Sequence, residues 1–160
     1  MESLNLPTFS YRIRRTKEKD YIFDLCRKKY VRLTPEEWVR QHMIHYLVRD
    51  LNYPISLIKL ELPIEYGRLC KRIDMLVSGR GDASPLMLIE CKASNQKIYQ
   101  THFAQVAAYN LILRAPFITV SNGVQHFCFK IDIKNGTYSL LKKIPFFEDL
   151  VDHTAHASAK

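Results

Sequence analysis

Residues 85–92, PLMLIECK, limit the possible folds more than any other stretch of this chain. They run apolar without alternation, the pattern of a strand covered on both faces, so they predict the middle strand of a layered sheet. Upstream, Thr34-Pro35-Glu36-Glu37 predicts a helix start. Thr34 is a good N-cap, Pro35 stands where its missing N–H costs nothing, and Glu37 completes a capping box. Val39, Met43, Tyr46, Leu47 and Leu51 follow at three- and four-residue spacing, carrying the helix to about Leu51, ahead of Asn52-Tyr53-Pro54.

Beyond Pro54 the hydrophobic period changes from helical to alternating. Residues 57–64 predict a strand with Lys59 and Glu61 on one face and Ile58, Leu60 and Leu62 on the other. Residues 71–77 predict a second strand, and Ser78 to Asp82 a turn. After the middle strand, a polar break at Ser94-Asn95-Gln96 precedes a helix over about 97–114, closed by Pro116. A short apolar strand covers 117–121. Asn122-Gly123 and Asn135-Gly136 then supply hairpin turns into strands over 124–131 and 137–141. From Thr34 the order is αβββαβββ, an α/β (α+β) chain with a central mixed sheet flanked by helices.

The flanks read differently. Residues 1–10 look like a loose lead-in, and aromatic and basic residues mix up to Arg32, with two short strands around a KEKD turn. The end, VDHTAHASAK, is small, polar and unpatterned, and predicts a frayed tail. The chain thus divides into a basic extension over 1–33, a core domain over 34–150 and a tail over 151–160.

Composition narrows the function. At 160 residues and 47% hydrophobic, a single domain can bury a core without staples. Cys26, Cys70, Cys91 and Cys128 form no CxxC or Cys/His ladder, which predicts a reduced, zinc-free cytoplasmic protein. His42, His45, His102 and His126 form no ligand pattern either, and the single tryptophan, Trp38, reads as core. No apolar run approaches the roughly 20 residues of a membrane helix. The N-terminus lacks the order of a signal peptide. No GxxxxGK[ST] is present, so this chain carries no nucleotide-driven motor of that type. Of the formal net charge of +8, residues 11–32 hold most, with nine Lys/Arg against three Asp/Glu. Such a cluster suits nucleic acid first and acidic membrane second, or is simply a solvated basic surface.

The chemistry centres on Arg72-Ile73-Asp74 and Glu90-Cys91-Lys92. Residues two apart in a strand share a face, so Glu90 and Lys92 project together and Cys91 away. With Asp74 on the next strand, two carboxylates and an amine converge. Crowded carboxylates repel unless a cation joins them, and an all-oxygen pair suits Mg²⁺ or Mn²⁺. Alternatively, Glu90 and Lys92 form an ordinary ion pair at a strand end.

Asp74, then Glu90-x-Lys92 after fifteen residues, in this element order, resembles the PD-(D/E)XK nuclease superfamily. Gln105-Val106-Ala107-Ala108-Tyr109 looks like the QxxxY element of its RecB-like members. TPEEWVRQHMIHYL, KRIDMLV, LIECK, QVAAYN and TVSNGVQHF, taken together, look like the N-terminal nuclease domain of type I restriction enzyme R subunits. The resemblance spans about residues 20–131. It implies a restriction-endonuclease-like core and a Mg²⁺- or Mn²⁺-dependent endonuclease or exonuclease acting on DNA, with specificity, methylation or motor subunits as possible partners. It makes Asp74, Glu90 and the backbone carbonyl of Cys91 metal ligands, and Lys92 the catalytic lysine. It brings Glu37 to the metal site, where the capping box offers a competing role. Gln105 and Tyr109 become active-site or backbone contacts, or remain a plain polar helix face. The basic segment, with Arg12, Arg14, Arg15, Arg27, Lys28 and Lys29, together with Arg72, would track the DNA. The alternative is a module that binds DNA or assembles without turnover.

Overall fold

In the computed structural model, which describes residues 2–66 and 69–158, the Thr34 hydroxyl accepts the Glu37 N–H and opens α1 (Pro35–Asp50). The capping box is only half made. The Glu37 carboxylate does not return to Thr34 but turns to Arg27, Arg40 and Gln41. A single turn of 3-10 helix at Ile55–Leu57 leads from α1 into the main sheet.

That sheet has six strands in sequence order: β4 (Ile58–Tyr66), β5 (Leu69–Ser78), β6 (Pro85–Cys91), β7 (Phe117–Ser121), β8 (His126–Asp132) and β9 (Thr137–Leu141). Neighbours are antiparallel except β6 and β7, which run parallel and are joined through α2 (Gln100–Leu113). The sheet is therefore mixed. As its composition requires, β6 is buried from Leu86 to Cys91. One face packs on α1 through Val39, Met43 and Leu47; the other packs on α2 through Val106 and Tyr109.

The alternation expected along β4 holds only in part. Glu61 adopts φ 52°, a left-handed conformation rare for a side chain with a Cβ. Ile58 and Leu60 join the core beneath α1, whereas Leu62 and Ile64 join the core beneath α2. The strand turns over at Glu61.

Residues 1–33 form more structure than their sequence suggests. β1 (Ile13–Arg15), β2 (Asp20–Asp24) and β3 (Lys29–Arg32) make a three-stranded antiparallel sheet, one strand beyond expectation. Leu6 and Phe9, placed in the loose lead-in, are buried, and Phe9 stacks on His45 at 3.7 Å. The Asn5 N–H donates to the Gly123 carbonyl at 2.7 Å, tying this segment to the β7–β8 hairpin. Trp38 is core, as expected, and its indole N–H donates to the Glu2 carbonyl.

The chain end also departs from expectation. Residues read as a frayed tail belong to α3 (Phe147–Ser158), anchored by the fully buried Phe147 and Leu150. Phe147 sets its ring edge-on to Tyr53 and donates its N–H to the Leu51 carbonyl. Cys26, Cys91 and Cys128 are free thiols; the Cys70 side chain lies outside the described residues.

Candidate active site

The β5–β6 ladder ends at Met75 opposite Ile89, so the strands part immediately before Asp74 and Glu90. At this fork the Cys91 N–H has no β5 carbonyl to meet and donates to Asp74 Oδ2 at 2.8 Å. Asp74 Oδ1 accepts from Arg40 Nη2 at 2.7 Å. The side chain is thus held from both β6 and α1.

Glu90 points toward the α2 face with Lys92. Lys92 Nζ donates to Glu90 Oε1 at 2.8 Å, so the two do share a face. Gln105 Nε2 lies 3.4 Å from the same oxygen and 3.1 Å from the Tyr109 hydroxyl, which brings the two α2 candidates to the site in a chain. Glu90 is 4% exposed, unlike the members of an ordinary surface pair. Its Oε2 is buried with no hydrogen-bond partner. Burial and then the Asp74 charge push its pKa up to about 7, against the pull of Lys92. Burial alone would lower the Lys92 pKa, but the hydrogen bond and charge of Glu90 raise it, so the lysine stays cationic.

Glu37 reaches the site only through an intermediary. Arg40 Nη1 binds Glu37 Oε2 at 2.5 Å while its Nη2 holds Asp74, so a guanidinium separates the two carboxylates. Arg27 bridges three elements, donating to Asp24 at 2.7 Å, Glu37 at 2.9 Å and Glu61 at 2.6 Å. Arg27, expected among the nucleic-acid contacts, instead has its charge neutralised inside the protein. Arg72, 62% exposed at the side chain, stands 3.5 Å from Glu61 at the rim.

Arg40, Glu36 and Glu61 were missed in the sequence reading. Glu36 is half-exposed on the first turn of α1, 3.5 Å from Arg40 Nη2. Burial and the Asp74 charge raise its pKa, against Arg40 and Lys92. Of the two α1 glutamates it is the one facing the open side, since the Glu37 side chain is buried. A signal existed for Arg40: it lies three residues after Glu37 and four after Glu36, the spacing of helical ion pairs. Glu61 gave none, since its carboxylate reaches the cluster only because the strand turns over.

The other basic candidates lie on or beside the small sheet. Arg12 sits over the Phe23 ring at 3.8 Å and Arg14 over the Tyr30 ring at 4.3 Å. Such contacts hold guanidinium groups without neutralising them. Arg15, Lys28 and Lys29 are exposed.

Taken together, Asp24, Glu36, Glu37, Glu61, Asp74 and Glu90 surround Arg27, Arg40, Lys92 and the rim residue Arg72, so carboxylates outnumber cations. Among the described residues, no three His, Cys, Asp or Glu side chains are set out as a ready metal cage. The donors nonetheless fit a hard divalent ion: two adjacent carboxylates, one with an orphaned buried oxygen, in a cluster with surplus negative charge.

Residues 35–145 match the family described as the type I restriction enzyme R protein N terminus. The chain belongs to that family. Asp74, Glu90, Lys92, Gln105 and Tyr109 all fall within the matched region of this R-protein N-terminal family. A fragment structure of an HsdR subunit of a type I restriction enzyme from Vibrio vulnificus YJ016 is similar over 78% of the chain, with 21% identity and a TM-score of 0.57. That likeness shows the shared restriction-endonuclease-like fold, a mixed sheet between helices. The match covers 26% of the HsdR fragment's own length. A comparison with curated proteins finds no match. No helix among the described residues is long and apolar enough to cross a membrane.

Proposed function

We propose that this R-protein N-terminal domain is a divalent-metal-dependent nuclease of PD-(D/E)XK type that hydrolyses DNA phosphodiester bonds. The observation that carries the reading is Glu90: a buried carboxylate with one free oxygen, a raised pKa, Asp74 beside it and Lys92 bonded to it. A simple structural ion pair needs no second carboxylate in the same buried space.

Asp74, Glu90 and the Cys91 carbonyl would hold Mg²⁺ or Mn²⁺, which would supply Lewis-acid stabilisation of charge developing on the phosphate. Lys92 keeps its proton and its place beside Glu90, where it can orient a water or neutralise a phosphoryl oxygen. Gln105 and Tyr109 extend the polar wall along α2 and can meet a substrate phosphate. Arg12, Arg14, Arg15, Lys28 and Lys29 offer a basic surface for the DNA backbone, with Arg72 at the rim. A cytoplasmic location and restriction-modification partner subunits accompany this reading.

One observation favours a second reading, a DNA-binding module without turnover: both Asp74 oxygens are already engaged, by Arg40 and by the Cys91 N–H. Cleavage of supercoiled plasmid and of linear single strands, with Mg²⁺ or Mn²⁺, separates the two. Cutting that is lost in EDTA and in Glu90→Ala supports the nuclease. Binding that persists in EDTA with no cutting under either metal supports the module. In both cases Arg12→Gln with Arg14→Gln should weaken DNA binding and reduce the log–log salt slope by about 2, since roughly one counterion is released per phosphate contact.

A further inference from the structure

Arg40 is an unusual neighbour for a metal ligand. It is 5% exposed, and its guanidinium lies between Asp74 on one side and Glu36 and Glu37 on the other. Nη1 is anchored on Glu37 at 2.5 Å. Nη2 is shared unequally, 2.7 Å from Asp74 Oδ1 and 3.5 Å from Glu36 Oε1. Glu36 has 42% of its side chain exposed, whereas Asp74 is also held at its other oxygen by the Cys91 N–H.

These contacts create a conflict for a cation entering between Asp74 and Glu90. One Asp74 oxygen is held by a backbone N–H that the strand fork cannot satisfy otherwise. The other is held by a positive charge, which in a low-dielectric pocket opposes a dication close by. The nearest relief is to move Nη2 by one acceptor, from Asp74 to Glu36, while Nη1 stays on Glu37.

We propose that Arg40 is a resident counter-ion and positioning residue for Asp74, exchanged onto Glu36 when a divalent cation takes its place. In the metal-free protein Arg40 keeps two neighbouring carboxylates compatible with folding. On metal binding Glu36 receives the released guanidinium, so Glu36 tunes metal affinity without touching the metal. The inference rests on the nuclease reading only in requiring that a divalent cation bind at Asp74 and Glu90.

Two readings on the full chain test it. Arginine side-chain N–H resonances, with the Arg40 signal assigned by its loss in Arg40→Lys, are followed through a Mg²⁺ titration. Calorimetry with Mn²⁺ is run on the wild type and on Glu36→Gln, an exposed first-turn change that leaves the core untouched. The Arg40 signal is expected to shift with the metal and saturate with it. Glu36→Gln should weaken Mn²⁺ binding about fivefold, the worth of one modest ion pair, and shrink the Arg40 shift. An Arg40 signal unmoved at metal saturation overturns the exchange, and shows a fixed brace. So does equal Mn²⁺ affinity in Glu36→Gln. Loss of all Mn²⁺ binding in Glu36→Gln would make Glu36 a ligand and also overturn it. Failure of the wild type to bind either ion defeats the nuclease reading itself, and with it this inference.

Discussion

Replacing Glu90 with Gln should make the metal-free protein more stable. The carboxyl has a pKa near 7 in the fold against 4.5 for the free group. Folding therefore favours its protonated form, and stability present below about pH 4.5 is lost as the pH rises toward 7. At 1.36 kcal/mol per pKa unit, that gap is worth about 3 kcal/mol at pH 8. Glutamine keeps the shape, can still accept from Lys92 Nζ and carries no charge toward Asp74. The opposing pull of Lys92 is already contained in that shift; an amide replaces the hydrogen bonding of a carboxylic acid imperfectly, so about 1–3 kcal/mol should remain at pH 8. Urea unfolding in EDTA, followed through the single Trp38, measures it at pH 4, 6 and 8. The variant should equal the wild type near pH 4 and pull ahead as the pH rises. A variant no more stable at pH 8, or one with the same advantage at pH 4, would refute the reasoning, because Glu90 would then not be under electrostatic strain.

Thr34→Ala removes the side chain that accepts the Glu37 N–H, and should cost about 1 kcal/mol in thermal or urea unfolding. Gly123→Val forces a branched residue to φ 81°, with its Cβ 2.8 Å from Leu4 Cδ2, and should cost more than Thr34→Ala. Because Leu4 belongs to the N-terminal segment, limited proteolysis should cut that variant within the first ten residues well before the wild type.

α1 was legible because it buries a face whose period shows in sequence, and β6 because an unbroken apolar run marks a strand covered on both faces. The ExK pair was legible because strand geometry alone puts Glu90 beside Lys92. What could not be read was which cation meets which carboxylate. Glu37 satisfies the capping-box pattern, yet Arg27 and Arg40, brought in by tertiary packing, hold its carboxylate more strongly than a backbone N–H would. The segment around Phe147 looked featureless from Val151 onward, although Ile144, Phe147 and Leu150 recur at a helical interval. Leu6 and Phe9 gave too short a pattern to outweigh the polar residues around them. Arg27 looked like one more member of a basic run because two of its three carboxylates, Glu37 on α1 and Glu61 on β4, come from 10 and 34 residues further along the chain.

The three-way reach of Arg27 also bears on how this domain can be divided. The family match begins at Pro35, which invites cutting at the head of α1 and treating the small sheet as an optional ornament. Such a cut would remove Arg27 along with Asp24 and leave Arg40 Nη1, 2.5 Å from Glu37 and 3.7 Å from Glu61, to hold both carboxylates in its place. The electrostatic wiring of the site crosses the apparent module boundary. The small sheet and the sheet that bears Asp74 and Glu90 therefore have to be kept together when this domain is trimmed or swapped.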